Sequence, residues 1–381
     1  MALPILFGCW LPALAVILLV TGIGLTVESI EHAIALAFLG LGAVIILFMF
    51  FGRFLVLLFR PGAADEPKYT ATVRAHTITG RERVPLYVDS LGPREQFSLI
   101  LCHGWGVSSD VWYYLKKSRR LERLGRITTW DMRGVGRSGR PSTADYALDA
   151  LARDLREVIE SEGARRVVLA GQGMGGLVAL NYCRLFPDQL GRRVAGLILA
   201  DVPLRPLPAP PALLRLSAAL SPVVGLVNRL VYLSGLGHLA TAMAAFGGRE
   251  SRGQLDLVTR SASFTRPLLG LQEAAAMSGF DPRPVLNALT VPVLLISGER
   301  NRLTPPAELR AAAAGLNGAT AVILPHSGSL SLLERSGEFE QRLREWLEIL
   351  PGGPGGRHVQ RRREREAGRQ SEPEDTDEAS P

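Results

Sequence analysis

The residues of this chain that could do chemistry stand at the ends of short apolar runs. His103-Gly104-Trp105-Gly106 follows Cys102, Asp131-Met-Arg133-Gly134-Val-Gly136-Arg-Ser138 follows Trp130, and Gly171-Gln-Gly173-Met-Gly175-Gly176 follows Val167 to Ala170. Asp201, the stretch Gly298 to Pro305 with Asn301 inside it, and His326-Ser-Gly328-Ser329 end three more. Backbone N–H groups in glycine turns, next to the start of a helix, suit negative charge developing on a carbonyl oxygen. A nucleophile, a base and an acid would complete an acyl-transfer site, and none stands in the obvious place. Gly171 and Gly175 lie two residues either side of a sharp strand-to-helix turn, where any side chain would collide with the central residue. That central residue is Gly173, which has no atom to attack with.

From about Lys68 the sequence alternates short apolar runs with turn residues and amphipathic stretches, a pattern that predicts an α/β domain. The candidate strands are Thr70 to Ile78, Pro85 to Ser90, Phe97 to Cys102, Arg126 to Trp130, Arg166 to Ala170, Val194 to Ala200, Pro292 to Ser297 and Thr320 to Leu324. Each motif above then sits on a loop just past a strand end.

Taken in that order, the motifs resemble those of the α/β-hydrolase family, over about Lys68 to Leu350. The turn at Gly173 has the frame of that family's Gly-x-Ser-x-Gly nucleophile elbow, with glycine in place of serine. His103 to Gly106 resembles the His-Gly-x-Gly loop that supplies half of the oxyanion hole, and Asp131 to Ser138 resembles a turn common in the family. By this resemblance the amides of Trp105 and Met174 face the developing charge. It further implies an eight-stranded, mostly parallel sheet with a helical lid, an acid after the seventh strand and a histidine after the eighth. Asn301 stands at the acid position, isosteric with aspartate but unable to carry the charge that stabilises an imidazolium. Ser329 stands at the histidine position, after Gly328. The resemblance therefore implies an esterase- or lipase-like scaffold whose triad positions Gly173, Asn301 and Ser329 are all substituted.

Other readings of the same residues stay open. His326 and Asp201 are the available substitutes for base and acid, His326 with only water to activate. An active serine hydrolase of the esterase or lipase kind would then work through non-standard residues. Gly171, Gly173 and Gly176 also spell Gly-x-Gly-x-x-Gly, with Asp201 ending the next strand, which is a dinucleotide fingerprint. That fingerprint normally follows the first strand of its domain, whereas several strand-like runs precede it here. His103 reads as structural, and Ser138 and Ser329, which lack a neighbouring base, as solvated or capping hydroxyls. Cys9, Cys102 and Cys183 show no metal spacing and no disulfide framework, which fits a reducing compartment, and neither a metal nor a cofactor is expected.

The 381 residues carry a net charge of +7, yet no basic segment is interleaved with aromatics as a nucleic-acid surface requires, so no nucleic acid is expected as a partner. The charge fits weak attraction to anionic lipid instead. Residues 1–27 contain no charged side chain, and a second uncharged run extends from Ala33 to Gly52 beyond Glu28, Glu31 and His32. Each is long enough to cross a bilayer, which predicts a two-helix transmembrane hairpin. Arg53, Arg60, Lys68 and Arg74 follow the second run while the connecting loop is acidic, so the α/β domain is expected on the cytoplasmic side.

The expected organisation is two transmembrane helices over 1–60, a linker over 61–67, the α/β domain over 68–350 with its lid at about 205–280, and a disordered charged tail over 351–381. Apolar residues such as Leu213, Leu220, Val227 and Leu230 line the insertion at roughly helical spacing. Beside a membrane, this suggests an apolar or acyl-type ligand, or a protein partner, for a scaffold without hydrolase activity.

Overall fold

Short, largely apolar runs build a sheet buried on both faces, and that burial is why most of them do not alternate with polar residues. In the computed structural model β3 (Phe97–Cys102), β4 (Arg126–Trp130), β6 (Val194–Ala200) and β7 (Val293–Gly298) are buried at every position. The structure describes residues 14, 16–21, 32–68, 74–93, 97–208, 229–230, 234–264, 267–316 and 318–351. With β1 (His76–Thr79), β2 (Pro85–Leu91), β5 (Arg166–Gln172) and β8 (Ala319–Leu324), these strands form one sheet in the order β1-β2-β4-β3-β5-β6-β7-β8. β2 pairs antiparallel with β1 and β4, and all other pairs are parallel. The parallel strands therefore deliver their following loops to one edge. Because β3 lies directly beside β5, with Cys102 opposite Gly171, the loop from His103 adjoins the turn at Gly173.

The helices cover both faces. Leu148, Leu151, Leu155, Val158 and Ile159 recur at helical spacing along α2 (Leu148–Glu162), which ends at Gly163 with φ +64°. Each such side chain contributes about 2 kcal/mol by leaving water. α2 packs with α3 (Met174–Leu185) on one face of the sheet. The other face carries α8 (Ser336–Ile349), whose Phe339 and Trp346 join Trp112 in a second cluster. Between β6 and β7 lie α4 (Gly235–Ala245), α5 (Arg252–Phe264) and α6 (Pro267–Ser278), and α7 (Pro306–Gly315) precedes β8.

α1 (His32–Leu58) is apolar enough over Ile34–Leu58 to cross a membrane. Its C-terminal part is docked on the body. A Cβ on Gly235 would reach within 2.5 Å of Gly52, so α1 and α4 cross with no room for a side chain between them. Arg53 pairs with Asp256 at 2.9 Å, and Arg60 pairs with the buried Glu250 at 2.9 Å. Leu47, Phe50, Phe51, Phe54, Leu55 and Leu58 remain exposed.

Of the first apolar run only residues 14 and 16–21 are described, as helix, so one membrane-length helix is established where a two-helix hairpin was expected. The loop from Glu28 to Glu31, most of the insertion's apolar stretch from Leu213, Cys9 and the tail beyond residue 351 lie outside the described residues. The first strand is shorter than expected, beginning at His76; residues 70–73 are again outside the description. β5 runs on to Gln172, because Gln172 pairs with Ala200 of β6.

Candidate active site

Sterics fix the turn after β5. A Cβ on Gly171 would run into the backbone of Gly175 and Gly176, and one on Gly175 into the carbonyl oxygens of Cys102 and His103. Between them Gly173 has φ +51° and ψ −116°, and its N–H donates to Ala200 O at 2.9 Å. Glycine takes this conformation without strain, and other residues do not. Space is not what excludes a side chain there: a Cβ would meet only Gly104 Cα, at 3.9 Å. Met174, buried, opens α3, so its amide has no obligatory partner within the helix.

The His103 to Gly106 loop is pinned on two sides. The Met132 N–H donates to His103 Nε2 at 2.9 Å, and His103 Nδ1 faces Gly104 O at 2.9 Å, which places the proton on Nδ1. Complete burial holds the His103 pKa below its ordinary value, so the ring is neutral and structural. Trp105 Nε1 donates to Gly270 O at 3.0 Å, tying the loop to α6. Ser138 is a strut: its hydroxyl donates to Asp131 O and accepts from Tyr87 N at 2.9 Å. Gln172 fills the space beside Gly104, donating to Ser329 O at 3.1 Å while its buried Oε1 has no partner among the described residues.

The loops after β6, β7 and β8 meet in a buried polar knot. Asn301 Nδ2 donates to Asp201 Oδ1 at 3.1 Å and to Ser297 Oγ at 3.0 Å, while its oxygen accepts from Leu303 N at 2.9 Å. Asp201, with φ +52°, also accepts from Gly298 N at 3.0 Å and from Ser331 N and Oγ at 3.0 and 2.7 Å. Burial pushes the Asp201 carboxyl above its ordinary pKa, against the pull of those donors. Ser329 is half-buried and donates through both N and Oγ to Ala245 O, at 2.9 and 3.1 Å. The structure thus brings Gly173 and Ser329 near each other through Gln172, and Asn301 to Asp201. His326 stays exposed, 3.7 Å from Glu299 and 3.5 Å from Arg300.

Comparison with known proteins agrees with this arrangement. A profile of the alpha/beta hydrolase family matches residues 99–342. The chain belongs to the α/β-hydrolase family. RutD of Variovorax paradoxus (strain S110), which bears the name of a carbamate hydrolase, is 27% identical over 278 residues, covering 71% of this chain and all of its own. Among solved structures, a thermophilic esterase from Thermogutta terrifontis superposes with a TM-score of 0.61 at 24% identity, covering 73% of this chain and 99% of that one. A bacterial membrane phospholipase A gives a TM-score of 0.58 at 21% identity, covering 84% of this chain and 99% of that one. At those identities the two structures speak for the fold alone. The dinucleotide fingerprint follows the fifth strand of this sheet instead of the first.

Two features of this hydrolase fold were not anticipated. A cavity of about 300 Å³ lies at the Asn301 and Ser329 loops, lined also by Met243, Phe246, Arg300 and Arg302. Behind it Glu334 accepts from the amides of Gly247 and Gly328, at 2.8 and 2.7 Å, and burial pushes its pKa up to about 7. The second feature is Glu273 on α6, one turn beyond Gly270. It is 1% exposed, has no partner among the described residues, and burial pushes it up to about 8. The signal was present in the sequence, since Leu269, Glu273 and Met277 recur every four residues as the buried stripe of α6. Among the described residues no group of His, Cys, Asp and Glu could hold a metal. Cys102 and Cys183 are buried, with thiols pushed up to about 12, and behave as core.

Proposed function

We propose that this chain is a membrane-anchored member of its family that binds an apolar or acyl-type ligand, or a protein partner, without hydrolysing it. In this reading residues 1–60 form two transmembrane helices, 61–67 a linker, 68–350 the α/β domain on the cytoplasmic side and 351–381 a charged tail, with a helical lid at about 205–280. One observation carries the loss of activity: the elbow backbone is kept at Gly173 with room for a side chain and none present. Asn301 and Ser329, hydrogen-bonded elsewhere, support it. The amides of Trp105 and Met174, with His103, Gly104 and Gly106 behind them, remain as a frame for a carbonyl or carboxylate oxygen. RutD, named for a carbamate substrate, fits a carbonyl group at that position.

The test is covalent labelling of the full chain by a fluorophosphonate probe, alongside thermal unfolding with a fatty-acyl series. No labelling, with a melting temperature that rises with chain length, is expected. Labelling of the folded protein overturns the inactive reading.

A second reading, hydrolysis through non-standard residues, draws on Glu273, a buried carboxyl one turn from the Gly270 carbonyl that holds Trp105. It predicts p-nitrophenyl ester turnover that Glu273→Gln abolishes.

A further inference from the structure

The cavity at the Asn301 and Ser329 loops is not walled like an acyl pocket. Two guanidinium groups line it. Arg300 donates to Gly247 O and lies beside His326, whereas Arg302 is exposed and has no partner among the described residues. The nearby acids are engaged: Glu334 caps the amides of Gly247 and Gly328 from behind, and Glu299 accepts from His326 N at 2.9 Å. What remains facing the space is positive charge in the planar fork geometry that binds phosphate or carboxylate oxygens.

The rim is apolar on one side only. Met243, 69% exposed, lines the cavity, and Leu239, one turn earlier on α4, is 41% exposed. α4 begins at Gly235, against Gly52 of α1, and ends at Ala245, against Ser329. Its eleven residues span about 16 Å, so Leu239 and Met243 form a stripe from the membrane-length helix to the mouth of the cavity. At the far end α4 meets α1 where Gly235 abuts Gly52. A cationic pocket joined by an apolar stripe to a bilayer-length helix matches an amphiphile with an anionic head, supplied from the plane of the membrane.

We propose that this cavity binds the anionic headgroup of a membrane lipid through Arg302 and Arg300, with an acyl chain lying along Leu239 and Met243. The proposal rests on α1 being the membrane anchor proposed above, but not on what occupies the elbow.

The test is thermal unfolding of the full chain in nanodiscs of phosphatidylcholine, in the same discs with about one lipid in five replaced by phosphatidylglycerol, and in phosphatidylcholine discs with inorganic phosphate added. Phosphatidylglycerol should raise the midpoint by about 3 °C, and inorganic phosphate should not. Arg302→Glu and, separately, Met243→Asp should remove most of that rise, whereas Arg310→Glu, the same charge change at an exposed site on α7, should keep it. An equal rise in Arg302→Glu, an equal loss in Arg310→Glu, or a rise with inorganic phosphate alone would overturn the site. Loss of the chain from the discs on alkaline washing would overturn the anchor and this site with it, while retention without a lipid effect would overturn the site alone.

Discussion

In the function proposed above, the elbow edge and the acid edge of this site differ from the family pattern in different ways. At the elbow, Gly171 and Gly175 are held by collisions with backbone atoms, and the substituted Gly173 lies in open space with its turn unchanged. At the acid edge, Asn301 is embedded in hydrogen bonds with Asp201 and Ser297, and Asp201 is occupied by Ser331 and Gly298. The elbow as it stands has a frame and no side chain at its centre. The acid edge is built around an uncharged amide, so a carboxylate placed there is opposed by electrostatics.

Four substitutions can break or sharpen this contrast. Gly175→Ala should be the most damaging, because its Cβ would need the space of two carbonyl oxygens; a loss of about 5 kcal/mol, or no folded protein, is expected in chemical denaturation. If it folds normally, the steric account of the elbow fails. Glu273→Gln calibrates a buried carboxyl with no partner among the described residues. The Glu273 pKa is raised by folding from 4.5 to about 8, so the folded state is the better proton binder, and wild-type stability should fall as pH rises across that window. The glutamine variant lacks that slope and should be more stable by about 4 kcal/mol above pH 8. Denaturation midpoints at pH 5 and pH 9 measure the difference.

Asn301→Asp should cost about 3 kcal/mol at neutral pH, since it sets a second carboxylate against Asp201, and less at pH 5, where the pair keeps a proton. The exchange Asp201→Asn with Asn301→Asp should recover most of that loss; no recovery would show that the pair does not interact as described. Gly173→Ser should have the smallest effect on stability, about 2 kcal/mol from backbone strain, with ester hydrolysis no faster than the parent. Turnover should become measurable only when Ser329→His supplies a base. Further addition of Asn301→Asp should lower the folded fraction, which separates the acid edge from the elbow directly.

The two edges were also unequally legible in the sequence. β3 and β6 were bounded correctly from largely apolar runs, because buried parallel strands leave little polar alternation to misread, and β4 was bounded correctly by its β-branched and aromatic residues. The elbow and the His103 loop were readable because glycine spacing reports backbone geometry locally. The pairing of Asn301 with Asp201, a hundred residues apart, was not, since only the order of β6 and β7 in the sheet brings them together. Asp201 looked like a strand-end residue and Asn301 like a failed acid; neither pattern reveals that they are partners. Arg302 went unnoticed for the same reason, as its surroundings come from α4 and the loop after β8.

The crossing of α1 on α4, locked by Arg53 with Asp256 and Arg60 with Glu250, also bears on how the protein would move. A flexible leash would let the domain tumble above its anchor and meet ligands from the aqueous volume. A helix bolted to the body acts as a strut: with α1 upright in a bilayer, the domain keeps one bearing and one height, and turns only about the helix axis. Encounter then becomes two-dimensional. Ligands would arrive by sliding sideways among the lipids, and the surface density of the ligand, not its dissolved concentration, would set how often the site is filled.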